Sequence, residues 1–289
     1  MTVAEALAWG LSELESGKAS EYDRDCELLL AHAVRKDQSW ILLNRDRPLP
    51  DIELENFQSL VIGRALGTPA RYLTGSVEFF GLKLKVERGI YIPKRETELL
   101  VEEALGFLGA PRRSDLTWGQ CRTQAVVHEV GTGAGAIAIA IANHALGAEI
   151  EASDLSAFAI SLARANAESN GVANRIQFRP GDMQSPLAGV PDLVVANLPY
   201  IDAENDYRLP TEVRAQPRLS LVSNESGLGH IKRLLEELNV KSGGRVILEI
   251  GFDQANGVQT LCAGKPNLSY ERTVKDLAGF DRIAVIVAT

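Results

Sequence analysis

From Thr2 to about Leu66, apolar residues recur three or four positions apart, as in Ala6, Leu7, Leu11 and Leu14, and again in Cys26, Leu29, Leu30, Ala33 and Val34. That period turns one face of a helix toward a core, and no strand-like alternation interrupts it. Ser20 ahead of Glu21 to Asp23, and Pro50 with Asp51 ahead of a periodic run, read as helix starts, so roughly three to five short helices are predicted. Between Pro69 and Pro93 the pattern changes. Val77 to Phe80, then Leu82, Leu84 and Val86 alternating with charged residues about a turn at Gly81, predict a hairpin-like connector.

From about Glu96 onward helical and apolar-strand segments alternate. Helices are predicted over Leu99 to Leu108, Ala136 to Ala145, Ala157 to Ser169 and Ile231 to Leu238. Strands are predicted over Ala125 to Val130, Glu149 to Ser153, Ile176 to Arg179, Asp192 to Ala196 and Arg245 to Ile250. The alternation implies a mostly parallel sheet covered by helices on both faces. Ser269 to Val274 and Arg282 to Val287 close the chain as an antiparallel pair, and the segment from Arg112 to Gln124 reads as a surface loop. The expected domains are a helical bundle over 1–70, a connector over 71–95 and an α/β domain over 96–289.

Composition narrows the class. With 289 residues, 45% of them hydrophobic and 24% charged, the chain can bury one large core with a smaller domain beside it. No stretch approaches the roughly 18 to 20 uninterrupted apolar residues of a membrane span, and no signal core follows a basic start, so a cytoplasmic protein is expected. Cys26, Cys121 and Cys262 lie far apart with no metal-ligand spacing and read as reduced structural residues. A net charge of −8 disfavours a broad nucleic-acid face. Arg64, Arg71, Lys83, Lys85, Arg88, Lys94 and Arg95 do cluster, and read as a solvated linker.

Candidate chemistry begins at Glu129, Val130, Gly131, Thr132, Gly133, Ala134 and Gly135, between an apolar strand and an Ala/Ile-rich helix. Glycines permit the tight strand-to-helix turn and let a ligand approach the backbone. The string alone also fits a dinucleotide pattern, and Asp154, 19 residues past Gly135, could hold a ribose diol in either cofactor. Three acids favour S-adenosyl-L-methionine, the first being Asp154, which ends the second strand where a carboxylate can accept from both ribose hydroxyls. Asp182, after the third strand, stands where such folds contact an adenine amino group, and Glu129 suits a cationic methionine amine better than an anionic pyrophosphate. Each acid has a plainer reading as a cap, and Glu129 could merely orient the loop's own amides.

Asn197, Leu198, Pro199 and Tyr200 follow the fourth strand of the α/β domain, at the end where ligands gather in open α/β sheets. An amide nitrogen is a poor nucleophile because its lone pair is delocalised, so methyl transfer to it needs alignment and acceptors for its N–H groups. Asn197 offers a side-chain carbonyl, Leu198 a backbone carbonyl and Tyr200 an aromatic face for a planar group. No metal or nucleophilic side chain is required.

Here the chain resembles the amino-methyltransferases with an (N/D)PPY motif and, within them, the HemK/PrmC-type protein-glutamine methyltransferases. The likeness spans nearly the whole chain. Beyond the glycine loop and the NLPY turn it includes Tyr72 to Gly75, Glu78 to Leu82, Ile92 to Glu98, and Val213 to Pro217 with Leu219 and Leu221. The resemblance implies a Rossmann-like S-adenosylmethionine-dependent methyltransferase fold, a mixed, mostly parallel seven-stranded sheet, behind a small N-terminal helical bundle that helps seat the partner. It implies methylation of the glutamine in the Gly-Gly-Gln loop of peptide-chain release factors. Asn197 and the Leu198 carbonyl would hold the amide with Tyr200 packed on it, and Gly131, Gly133, Asp154 and Asp182 would hold the cofactor, with Glu129, Thr132 and Gly135 in the same loop.

The sequence also departs from the family pattern. Leu198 replaces the first motif proline, which frees φ and adds an N–H donor. Lys94 and Arg95 stand where Arg-Pro is usual, Gln216 where Glu is usual, and Glu129 where Asp is usual. Ribosomal protein glutamine, a small-molecule amine, a base amino group, or a silent cofactor-binding paralogue stay open as other readings.

Overall fold

The computed structural model describes residues 1–17, 22–112 and 118–289. The expected helix start at Ser20 and Glu21 lies outside them. The chain divides into one unit of Met1–Ser76 with Tyr207–Gln216, and a second of Val77–Asp206 with Pro217–Thr289.

In the first unit α1 (Val3–Ser16) starts on a capping box: the Glu5 amide donates to the Thr2 hydroxyl at 3.3 Å and the Thr2 amide to the Glu5 carboxylate at 2.8 Å. With α2 (Tyr22–Ala33), α3 (Gln38–Leu43), α4 (Asp51–Ala65) and α5 (Ala70–Thr74), it buries Leu14, Cys26, Leu29, Leu30, Phe57 and Val61. The helical period at these positions is what makes five short helices hold one core. Arg64 corrects the solvated-linker reading. It is buried, with Nε 2.5 Å from Asp25, and its guanidinium lies 3.8 Å from Glu212, just inside the short helix α9 (Thr211–Arg214).

A hairpin, β1 (Ser76–Phe79) and β2 (Leu82–Lys85), starts on the last residue of the first unit's opening segment and continues into the second unit, and its turn places Phe80 and Gly81 in the left-handed region. After α6 (Glu98–Phe107) come β3 (Val126–Val130), α7 (Ala136–His144), β4 (Glu149–Asp154), α8 (Ala157–Ser169), β5 (Ile176–Pro180) and β6 (Leu193–Ala196). Then follow α10 (Gly229–Glu237), β7 (Arg245–Glu249), α11 (Ala255–Ala263), β8 (Leu268–Lys275) and β9 (Asp281–Ala288). The seven strands stand in the order β8-β9-β7-β6-β3-β4-β5. β7, β6, β3, β4 and β5 run parallel, while β9 is antiparallel to both β7 and β8. The strand order reverses between β3 and β6, the switch point where open α/β sheets bind ligands. Among the described residues no helix is long and apolar enough to cross a membrane.

Three parts escaped the hydrophobic pattern. α11 buries only Val258 and Cys262 and has no side-chain cap, so its sequence carries a weak helical signal. α9 is four residues long. Cys121–Arg122 pairs with Ala145–Leu146, and Ile201–Asp202 with Val222–Ser223, in ladders too short to show a period of two. The first of these pairs lies partly in the segment expected to be only a loop.

Asn166 of α8 ties three parts of this unit together. Its Oδ1 accepts from the Lys85 amide at 2.7 Å, and its Nδ2 donates to the Lys85 carbonyl at 3.0 Å and to the Ala134 carbonyl at 2.9 Å. Asn166→Ala would leave buried backbone groups unpaired at about 1–3 kcal/mol each, so a loss of about 3 kcal/mol is expected in urea denaturation. A loss well below 1 kcal/mol would show that water replaces the side chain.

Candidate active site

Val130 and Ala196, the last residues of β3 and β6, are paired in register, so the glycine loop and the NLPY turn leave the sheet side by side at its carboxyl end. They touch: a Cβ on Gly131 would stand 3.1 Å from Leu198 Cδ2. Gly131, Gly133 and Gly135 have φ of 77°, 54° and 85°, the left-handed region that a Cβ disfavours. At Gly135 the added carbon would lie 3.0 Å from Ala163 Cβ and Ile139 Cδ1, so that glycine serves close helix packing. At Gly133 it would meet nothing within 4 Å, which leaves the middle of the loop open to a ligand.

The acids expected around this loop take distinct positions. Glu129 is buried, and its Oε2 accepts from the Thr132 hydroxyl at 2.7 Å and the Ala138 amide at 3.1 Å. Burial pushes its carboxyl up to about 8, against the pull of those two bonds. The loop-orienting reading of Glu129 therefore describes what Oε2 does; Oε1 has no donor among the described residues. Asp154, at the end of β4, accepts from the Gly133 amide through Oδ2 and from the Ser156 amide through Oδ1, each at 2.8 Å. Burial raises its pKa, and the same two amides lower it. Asp182 lies farther out, with Oδ2 2.8 Å from the Arg233 guanidinium of α10.

In the NLPY turn Asn197 Nδ2 donates to Thr97 Oγ1 at 3.0 Å, so Oδ1 faces away from Thr97 and takes no bond from the described residues. Among those residues no donor reaches the Leu198 carbonyl either. The Leu198 side chain is buried in the cluster that holds Val130, Ala196 and Ile231. The freedom expected from the missing proline is thus restrained by packing. The Tyr200 hydroxyl donates to Glu249 Oε1 at 3.1 Å, and Gln254 Nε2 donates to the Tyr200 carbonyl at 2.8 Å. Burial raises the Tyr200 phenol, and Glu249 raises it further. Burial also pushes the Glu249 carboxyl up to about 7.

Residues 5–75 match the model of the PrmC N-terminal domain, and residues 119–224 that of the methyltransferase small domain. The release factor glutamine methyltransferase of Clostridium acetobutylicum is 31% identical over 293 residues, 99% of each chain. That of Xylella fastidiosa (strain 9a5c) is 36% identical over 266 residues, 90% of this chain and 91% of the relative. The chain belongs to the release factor glutamine methyltransferase family. A methyltransferase of known structure from Pyrococcus furiosus, 18% identical, matches 81% of this chain and 98% of its own with a TM-score of 0.50, a likeness of fold alone.

Within this methyltransferase fold the open Gly133 and the unpaired Oε1 of Glu129 fit S-adenosyl-L-methionine, the methyl donor of the fold. Sequence reasoning gave no site role to four residues that shape the site, although Thr97 lies in the family-like segment Ile92 to Glu98. Glu249 and Gln254 brace Tyr200, Thr97 anchors Asn197, and Gly227 lets the chain pass the Tyr200 carbonyl. Glu249 carries a further signal: it is an acid that follows the apolar run Val246, Ile247 and Leu248 at the carboxyl end of its strand.

Proposed function

We propose that the chain methylates the side-chain amide nitrogen of the glutamine in the Gly-Gly-Gln loop of peptide-chain release factors. The observation that carries this reading is the pair of free acceptors, Asn197 Oδ1 and the Leu198 carbonyl, one loop away from an open glycine turn. A primary amide has two N–H donors, and two fixed acceptors would hold it in one orientation for methyl transfer. Tyr200, its ring braced through the hydroxyl, offers a face to the planar amide. S-adenosyl-L-methionine supplies an electrophilic methyl on a sulfonium. With it bound, the N–CH3 bond would form as the S–CH3 bond breaks, and one amide proton would leave to solvent.

Glu129 Oε1 would take the methionine amine, Gly131, Thr132, Gly133 and Gly135 would line the backbone cradle, and Asp154 and Asp182 would face the ribose and adenine. The helical unit over 1–70 would seat the partner. A net charge of −8 favours a protein partner over direct binding of nucleic acid.

Purified release factor, incubated with the enzyme and S-adenosyl-L-methionine, is expected to gain the mass of one methyl group. A gain on ribosomal protein in place of release factor would replace the substrate. No gain on either, with cofactor binding intact by calorimetry, would sink the reading.

A further inference from the structure

The free carbonyl of Asn197 depends on a choice of direction. An asparagine side chain is nearly symmetric in shape, and turning it over would present NH2 in place of Oδ1. NH2 cannot accept from a substrate amide, so the turned form is useless for the reaction. What selects the working form is the partner on the other side, Thr97, at the end of the 3-10 turn Arg95–Thr97. A hydroxyl can donate or accept, and here its oxygen accepts from Asn197 Nδ2 at 3.0 Å. Its single proton is then left for another acceptor.

The acceptor this points to is the buried Glu249 carboxylate at the end of β7, whose pKa the Thr97 side chain lowers. Oε1 already accepts from the Tyr200 hydroxyl, and Oε2 is buried with no hydrogen-bond partner among the described residues, which leaves it open to a donor. An ionised carboxylate has no proton to give, so both hydroxyls that face it must donate. We infer that Glu249 is a positioning residue: through Thr97 it sets the direction of the hydrogen-bond chain, so that Asn197 turns its carbonyl oxygen toward the methyl-acceptor amide. The inference rests on the functional reading above for the identity of that amide, and on the side-chain geometry alone for the chain of bonds.

Ionisation of Glu249 is then a condition of activity. Burial raises its carboxyl to about 7 and Glu96, on the Thr97 turn, raises it further; Thr97, Tyr200 and Arg282 of β9 pull it down. The Tyr91 phenol also faces this group and is pushed up by burial and by Glu249. Arg282 is itself held by Asp276 at 2.8 Å. Once protonated, Glu249 gains a donor, Thr97 can turn to accept it, and Asn197 is free to turn over.

Glu249→Gln tests the relay with almost no change of shape. Its one oxygen can accept from only one of the two hydroxyls, Thr97 or Tyr200, and its NH2 must donate to the other, so the pair of donations that fixes the chain is lost. The expected result is a fall in kcat of about 10²-fold, similar to the loss of one fixed polar contact in a catalytic site. The cofactor Kd is expected to be unchanged. The wild-type kcat should rise with pH around a midpoint of about 7, and that limb should be absent from the variant. A raised carboxyl pKa means that ionised Glu249 costs stability above its unfolded pKa, so at pH 8 E249Q should melt no lower than wild type. Thr97→Val should lose activity that Thr97→Ser keeps.

A readout without turnover comes from protein carrying 15N-asparagine, with Asn197 assigned by its absence in Asn197→Ala. The Asn197 side-chain signals should move with pH around a midpoint of about 7 in wild type and stay fixed in E249Q. Signals fixed in wild type, or a Thr97→Val enzyme with undiminished kcat, would overturn the inference. A wild type that leaves release factor unmethylated would fail the functional reading instead, and the resonance titration would still decide the relay.

Discussion

Asn197→Ala is expected to slow methylation of release factor by about 10²–10³-fold while the cofactor Kd and the melting temperature stay close to wild type. The side chain makes one bond within the described residues, its Nδ2 to Thr97, so removing it costs the fold little. What it loses is Oδ1, one of the two acceptors for the substrate amide. Because a delocalised amide lone pair reacts only when held in line, the loss falls on kcat more than on KM. Single-turnover rates measured beside calorimetric cofactor binding would separate the two. A variant within a factor of about 3 of wild type would remove Asn197 from the reaction, since that is under 1 kcal/mol of transition-state energy.

Gly227→Ala is expected to cost about 3 kcal/mol of stability and most of the activity. Gly227 has a φ of 85°, and a Cβ there would lie 2.1 Å from the Tyr200 carbonyl oxygen and 2.3 Å from Gln254 Nε2. Those two atoms form the 2.8 Å bond that clamps the turn, so the methyl group would have to break the clamp. Gly189→Ala is the control. Gly189 is also left-handed, at 73°, but a Cβ there meets nothing within 4 Å, so only the conformational cost of about 1 kcal/mol applies. Urea denaturation of both variants measures the difference, and equal losses would show that the Tyr200 clamp yields freely.

The central strands β3, β6 and β7 were legible because they are buried on both faces and read as apolar runs, and because each run is followed by a turn or a periodic helix. The glycine loop and the NLPY turn were legible for the same reason: they sit where apolar strands end. The support behind them was not. Thr97 meets Asn197 across 100 positions and Glu249 meets Tyr200 across 49, and no local period encodes such pairs. Arg64 read as part of a charged linker because its partners, Asp25 and Glu212, are remote in sequence. The consequence of Leu198 was half legible. The missing ring could be read from the sequence, but its burial against Gly131 and the core could be seen only once the two loops were side by side.

The most direct measurement is peptide mapping of release factor after one turnover with wild-type enzyme and with Asn197→Ala, each with S-adenosyl-L-methionine. One methyl group on the glutamine of the Gly-Gly-Gln loop with wild type, and none with the variant, is the predicted result. A methyl group on another residue, or one placed equally well by the variant, would contradict the role assigned to the NLPY turn.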